Sequence, residues 1–200
     1  MKIIKVLAQN FGCNSYVVTA DNKNAVVVDC AEERLFDICA ERGLKPCAVL
    51  LTHCHFDHVG GCGKFFKEGV PIYCGEHEEE LIFSDENKNI FGGVYIPDFK
   101  IHKTLKDGES ITLAGITFKV LHTPGHTAGG VCYIAEDSIF SGDTLFRMSI
   151  GRSDLPTGDY KTLIQSVKKL FALDGNYKVY CGHEGETELD YERKNNPYIN

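Results

Sequence analysis

The stretch Thr52-His53-Cys54-His55-Phe56-Asp57-His58 gathers three histidines and a carboxylate between positions 53 and 58, directly after the apolar run 48–51. Sites in sheet-based proteins tend to be built where a strand ends and the chain turns. In an extended stretch residues i and i+2 project to the same side, so His53 and His55 can grip one cation together. As the chain turns onward, Asp57 and His58 swing towards a second position close by. Imidazole nitrogens with a carboxylate suit zinc, iron or manganese, whereas calcium prefers shells made of oxygen. On the same alternation Cys54 faces the other way.

Downstream, three further candidates sit at expected strand ends, each next to a glycine that lets the backbone turn sharply and approach closely. They are His126 in Thr123-Pro124-Gly125-His126-Thr127, Asp143 in Ser141-Gly142-Asp143-Thr144, and His183 in Cys181-Gly182-His183-Glu184. With the first cluster they make five histidines and two aspartates. That suffices for two metals at about three or four protein ligands each, with room for water.

The surrounding sequence reads as strand pairs alternating with helices, which implies sheets covered by helices on their outer faces. β-branched runs at 3–8, 15–19 and 25–29 are separated by Asn/Gly/Asp turn clusters. Residues 32–42 carry Leu35, Ile38 and Cys39 at helical spacing and stop at Gly43. A short helix is expected over 59–67 with Asp57 as its cap, a strand over 71–74 and an acidic helix over 76–83. The acidic run 76–80 reads as a solvated helix face. Residues 84–100 form a long loop whose Tyr and Phe side chains are candidates for a pocket wall. Hairpins follow at 110–121 and 131–140, then an amphipathic helix over 160–173 and a strand at 178–181. A polar tail closes the chain, and nothing resembles a linker or repeat, so residues 1–200 are expected to form one domain.

Two hundred residues with 43% hydrophobic and 24% charged side chains are ordinary for a globular protein. The formal charge of −7 argues against sequence-independent nucleic-acid binding and against docking on an anionic membrane. No stretch approaches the roughly 20 apolar residues of a membrane span, and the opening Met-Lys-Ile-Ile-Lys breaks too soon for a signal peptide. There are nine cysteines and no Cys-x-x-Cys. They read as reduced thiols of a cytoplasmic protein, mostly small buried hydrophobes.

The ordered set 52–58, His122-Thr-Pro-Gly-His-Thr127, Phe140-Ser-Gly-Asp-Thr-Leu-Phe146, Gly151-Arg-Ser-Asp-Leu155 and Tyr180-Cys-Gly-His183 resembles a metallo-β-lactamase-fold hydrolase. It is most similar to the glyoxalase II-like (hydroxyacylglutathione hydrolase) branch. The resemblance implies a four-layer αβ/βα sandwich in the α/β class. It also implies two divalent ions, zinc first, with iron or manganese as alternatives. His53, His55 and His126 would hold the first, Asp57, His58 and His183 the second, and Asp143 would bridge them. A metal-bridging hydroxide, formed near neutral pH, would attack a thioester or related ester, with Asp57 both ligating and orienting it. The thiolate leaving group needs little protonation.

Arg152 falls where glyoxalase II enzymes hold the glutathione portion with a lysine; it can grip a carboxylate or pair with Asp154. Asp29 and His122 are expected to support the ligands through hydrogen bonds or the turn, while His77 and His102 are expected at the surface. Glyoxalase II enzymes carry a C-terminal helical extension that contacts glutathione, and a chain ending at Asn200 is too short to contain it. Glu184 stands at a usual glycine, and Ser153 and Asp154 stand at usual aromatics. The compact, extension-free members are therefore the better fit, with a small anionic thioester as substrate. Competing readings are a mononuclear iron persulfide-dioxygenase-like oxidoreductase, using His53, His126 and Asp143, and a non-catalytic metal-binding protein. β-Lactam hydrolysis is not expected.

Overall fold

The computed structural model describes residues 1–90, 93 and 95–199. The first sheet takes its strands in chain order: β1 (Lys2–Leu7), β2 (Asn14–Thr19), β3 (Asn24–Val28), β4 (Lys45–Leu50), β5 (Ile72–Gly75) and β6 (Lys103–Leu105). The first three pair antiparallel, and β3 to β6 run parallel. The helices α1 (Arg34–Glu41), α2 (Phe56–Val59), α3 (Cys62–Lys67), α4 (Glu78–Ile82) and α5 (Asp85–Lys88) lie between its later strands in sequence.

The second sheet comprises β7 (Ser110–Leu113), β8 (Ile116–His122), β9 (Val131–Ala135) and β10 (Ser138–Gly142), with β13 (Lys178–Cys181) and β14 (Thr187–Glu188) beyond. Its spatial order is β14-β13-β10-β9-β8-β7, and the β10–β13 pair is parallel. A small ribbon, β11 (Leu145–Phe146) with β12 (Ser149–Ile150), and the helices α6 (Tyr160–Phe171) and α7 (Leu189–Asn195) complete it.

The period-two alternation of the strands sorts the core into three slabs. Tyr16, Val18, Val26, Val28 and Leu50 face Phe118, Tyr133 and Phe140 in a slab between the two sheets. Val17, Val27 and Val49 point the other way, against Leu35 of α1 and Phe65 of α3. Cys132, Ile139 and Val179 pack on Leu163, Val167 and Leu170 of α6. Helix, sheet, sheet, helix is the four-layer αβ/βα sandwich expected.

Four local expectations need correction. Asp57 does not cap a 59–67 helix. The segment divides into α2 and α3, Asp57 lies in the first turn of α2, and its carboxylate meets His183 Nε2 at 3.2 Å. The acidic run is not uniformly solvated, because Glu78 is fully buried. The polar tail contains α7, which buries Leu189 and Glu192. Of the loop over 84–100, Asp85–Lys88 form helix α5, capped by the Ser84 side chain. The expectation for Phe91 lies outside the described residues.

Candidate metal centre

Both sheets aim their strand ends at one edge of the sandwich. His53, His55, Asp57 and His58 follow β4; Asp143 follows β10; His183 follows β13; His126 sits in the loop between β8 and β9. Glycines permit the convergence. A Cβ on Gly182 would lie 2.2 Å from Asp143 Oδ1, and one on Gly125, at φ +127°, would lie 2.2 Å from the Leu163 nitrogen of α6. Side chains at either place would push a loop out of position.

The ligand atoms of His53, His55 and His126 lie within 4.8 Å of one another, and so do those of His53, His58 and Asp143. Asp143 reaches both sides, with Oδ1 3.4 Å from His58 Nε2 and Oδ2 3.6 Å from His126 Nε2. Asp57 Oδ2 lies 3.2 Å from His183 Nε2 and 3.9 Å from His58 Nε2. All seven side chains singled out in the sequence thus meet in one place.

The back of the cluster is tethered. His58 Nδ1 donates to Asp29 Oδ2 at 3.0 Å, His126 Nδ1 to the Arg152 carbonyl at 2.7 Å, and His183 Nδ1 to the Gly12 carbonyl at 3.2 Å. Each tether turns the ring's other nitrogen inward. Buried polar atoms almost always find a hydrogen-bond partner. Yet His53 Nε2, His55 Nε2, His58 Nε2 and Asp143 Oδ1 are buried without one. Unpartnered polar atoms on residues whose ligand atoms cluster within 4.8 Å are what a cation site leaves when no ion is bound, so the residues fit the divalent ions that the sequence implies.

Two of the histidines stand in the charge state that metal binding needs. Burial, with His58 and His126 close by, holds His53 well below the usual histidine range. Burial and His126 push His55 down to about 3. Both rings are therefore neutral, the form that binds metal. Burial alone would raise the Asp57 and Asp143 carboxyls, but His58 and its neighbours outweigh it and hold both low. Burial would lower His58, but Cys13 and Asp29 outweigh it and hold that ring high.

Asp29, at the end of β3, accepts from His58 and from both the amide and the hydroxyl of Thr52. His122 is farther out. Its Nε2 donates to the Ala128 carbonyl at 3.0 Å and braces the loop that carries His126. Arg152 is exposed and forms a two-pronged pair with Asp154, both bonds 2.7 Å, at the rim of a cavity of about 470 Å³. Phe11, Phe56, Phe146, Asp57 and His183 also line that cavity. Tyr95 lines a neighbouring hollow with Phe11 and Asp57. His77 and His102 are exposed.

Sequence reasoning missed Glu78. Its carboxylate accepts from the Cys54 amide at 2.6 Å and the Gly129 amide at 3.0 Å, joining the His55 loop to the His126 loop. Its place among five successive polar residues, 76–80, concealed it. Asn87 adds a bond to the Cys54 carbonyl at 2.9 Å.

The fold and the converging donors together define a class. The sequence signature of the Metallo-beta-lactamase superfamily matches residues 8–183, and the chain belongs to that superfamily. The chain is 34% identical over 212 residues to a Haemophilus influenzae protein named hydroxyacylglutathione hydrolase GloC, spanning 100% of this chain and 98% of that one. Among solved structures, the BLEG-1 B3 metallo-beta-lactamase superposes with a TM-score of 0.93 at 33% identity over 99% of each chain. TTHA1623 in a di-iron-bound form gives 0.86 at 34% identity, over 98% of this chain and 99% of that one.

Proposed function

We propose that the protein is a dinuclear metal hydrolase that cleaves a small anionic thioester or related ester, in the manner of a hydroxyacylglutathione hydrolase. The observation that carries this reading is the set of four buried, unpaired donor atoms on His53, His55, His58 and Asp143 beside the cavity. The likeness to the protein named GloC over nearly its whole length supports the substrate class.

His53, His55 and His126 would hold one ion, Asp57, His58 and His183 the other, and Asp143 both. Zinc is the ion the donor set suits first, although iron and manganese share its ligands. When bound, such ions supply a Lewis acid for the carbonyl oxygen and lower the pKa of water to about 7.

The chain's own residues do the rest. Asp57 is held ionised beside His183 and lines the cavity, so its carboxylate can accept a hydrogen bond from the attacking water and fix its direction. Phe11, Phe56 and Phe146 give the cavity apolar walls that suit the acyl and thioether portions of a substrate. Arg152 lies at the rim, where exchanging Asp154 for a substrate carboxylate would keep the two-pronged geometry. A thiolate leaving group departs without a strong general acid.

The test is a hydrolysis panel on metal-loaded protein: S-acylglutathione and simpler thioesters, lactones, phosphodiesters and, given the BLEG-1 relative, β-lactams. Thioester turnover should dominate and should be lost in Asp57→Ala with the fold intact by circular dichroism. A preference for another substrate class, or full activity in that variant, would remove the assignment.

A further inference from the structure

The nine thiols are all free, and they do not share one environment. Cys30, Cys39, Cys54, Cys62 and Cys74 belong to the apolar slab beneath α1 and α3, and Cys132 and Cys181 to the slab beneath α6. Cys13 is as fully buried as these, yet it belongs to none of the three apolar clusters of the described residues. Two imidazoles stand close by: its Sγ and one ring nitrogen each of His58 and His183 lie within 4.8 Å of one another. His58, completely buried, keeps Nε2 without a hydrogen-bond partner. The thiol's hydrogen bond to the Asn14 carbonyl is a long one, 3.7 Å.

The backbone fixes this meeting. Cys13 and His183 form an antiparallel bridge, the Asn14 amide donates to the Gly182 carbonyl at 2.7 Å, and His183 Nδ1 donates to the Gly12 carbonyl. The segment before β2 and the segment after β13 therefore deliver a thiol and an imidazole as one unit.

We propose that the Cys13 thiolate is a further protein ligand of the second metal position, alongside Asp57, His58 and His183. The inference rests on the two-metal reading above and adds a soft donor to it. On coordination the sulfur–metal bond forms as the S–H proton leaves to solvent. A thiolate biases the position towards zinc or iron and against manganese and magnesium. A buried cysteine is ordinarily a small hydrophobe; Cys13 lies outside the apolar clusters of the described residues and beside two proposed ligands, His58 and His183.

Cobalt(II) makes the sulfur visible. The full chain loaded with two cobalt ions should show a sulfur-to-cobalt charge-transfer band in the near ultraviolet beside the visible ligand-field bands. Cys13→Ser should lose the first and keep the second. A two-cobalt protein without the near-ultraviolet band would overturn the Cys13 assignment and leave the two-metal reading standing. So would a band that survives Cys13→Ser, since the sulfur would then be another cysteine. A chain that takes up only one cobalt would overturn both readings. Should the variant not fold, X-ray absorption of the zinc-loaded wild type decides. A sulfur shell at about 2.3 Å supports the proposal, and nitrogen and oxygen alone at about 2.0–2.1 Å overturns it.

Discussion

Asp29 has a left-handed backbone, φ 56°, one residue past the end of β3, and its two oxygens serve His58 and Thr52. Asp tolerates that conformation better than most residues, at some cost in strain. Replacing it with Asn keeps the shape but removes the charge that orients the imidazole. Asp29→Asn should therefore weaken metal binding about 10- to 100-fold, as loss of such a partner typically does; competition with a chelator measures it. Glu78 is the other hidden support. Glu78→Ala would leave the buried Cys54 and Gly129 amides without their acceptor, each at about 1–3 kcal/mol. The urea midpoint should fall accordingly, and an unchanged midpoint would contradict the role. The seven His and Asp donors were legible because their spacing is chemical. Glu78 and Cys13 were not: each becomes special only when distant loops close on it, and one residue type in a run of its own kind carries no signal.

Among the elements, those whose pattern has a face were readable. β-Branched apolar runs between turn clusters announce β2 and β3 at 15–19 and 25–29, and Leu163, Val167 and Leu170 announce α6. The helix α7 escaped notice because its sequence, LDYERKN, buries only Leu189 and Glu192 and offers no apolar stripe. Short β6 escaped for a related reason: a three-residue edge strand shows almost no period. One tie between elements gives a pH-dependent prediction. Asp107 accepts from the His122 amide of β8 at 2.8 Å and from Lys169 of α6 at 3.0 Å. Burial works against its ionised form, but these two donors outweigh it and hold the carboxyl below its usual value. A carboxyl lowered on folding stabilises above its unfolded pKa, about 3.9, and loses that contribution as pH falls through the folded value. Asp107→Asn should melt below wild type at pH 7, with the gap closing below about pH 4. A gap that persists in acid would point to packing rather than charge.

At the scale of the molecule, two sheets bring donors from four separate segments to one edge, where neutral His53 and His55 stand beside ionised Asp57 and Asp143. Bound dications would partly compensate the formal charge of −7 at this edge, where the proposed anionic substrate would enter. Because the ions bind the folded chain, stripping them should lower stability by about 2.7 kcal/mol for each site held at 100-fold above its Kd. At roughly 2–4 °C per kcal/mol for a chain of this size, calorimetry with and without chelator should show a midpoint lower by at least several degrees. Equal midpoints would mean that the cluster binds no ion tightly. The most direct measurement combines metal analysis and turnover on one preparation. The account predicts close to two ions per chain together with hydrolysis of an S-acylglutathione or related thioester. One iron per chain, with oxygen uptake on glutathione persulfide and no thioester cleavage, would contradict it.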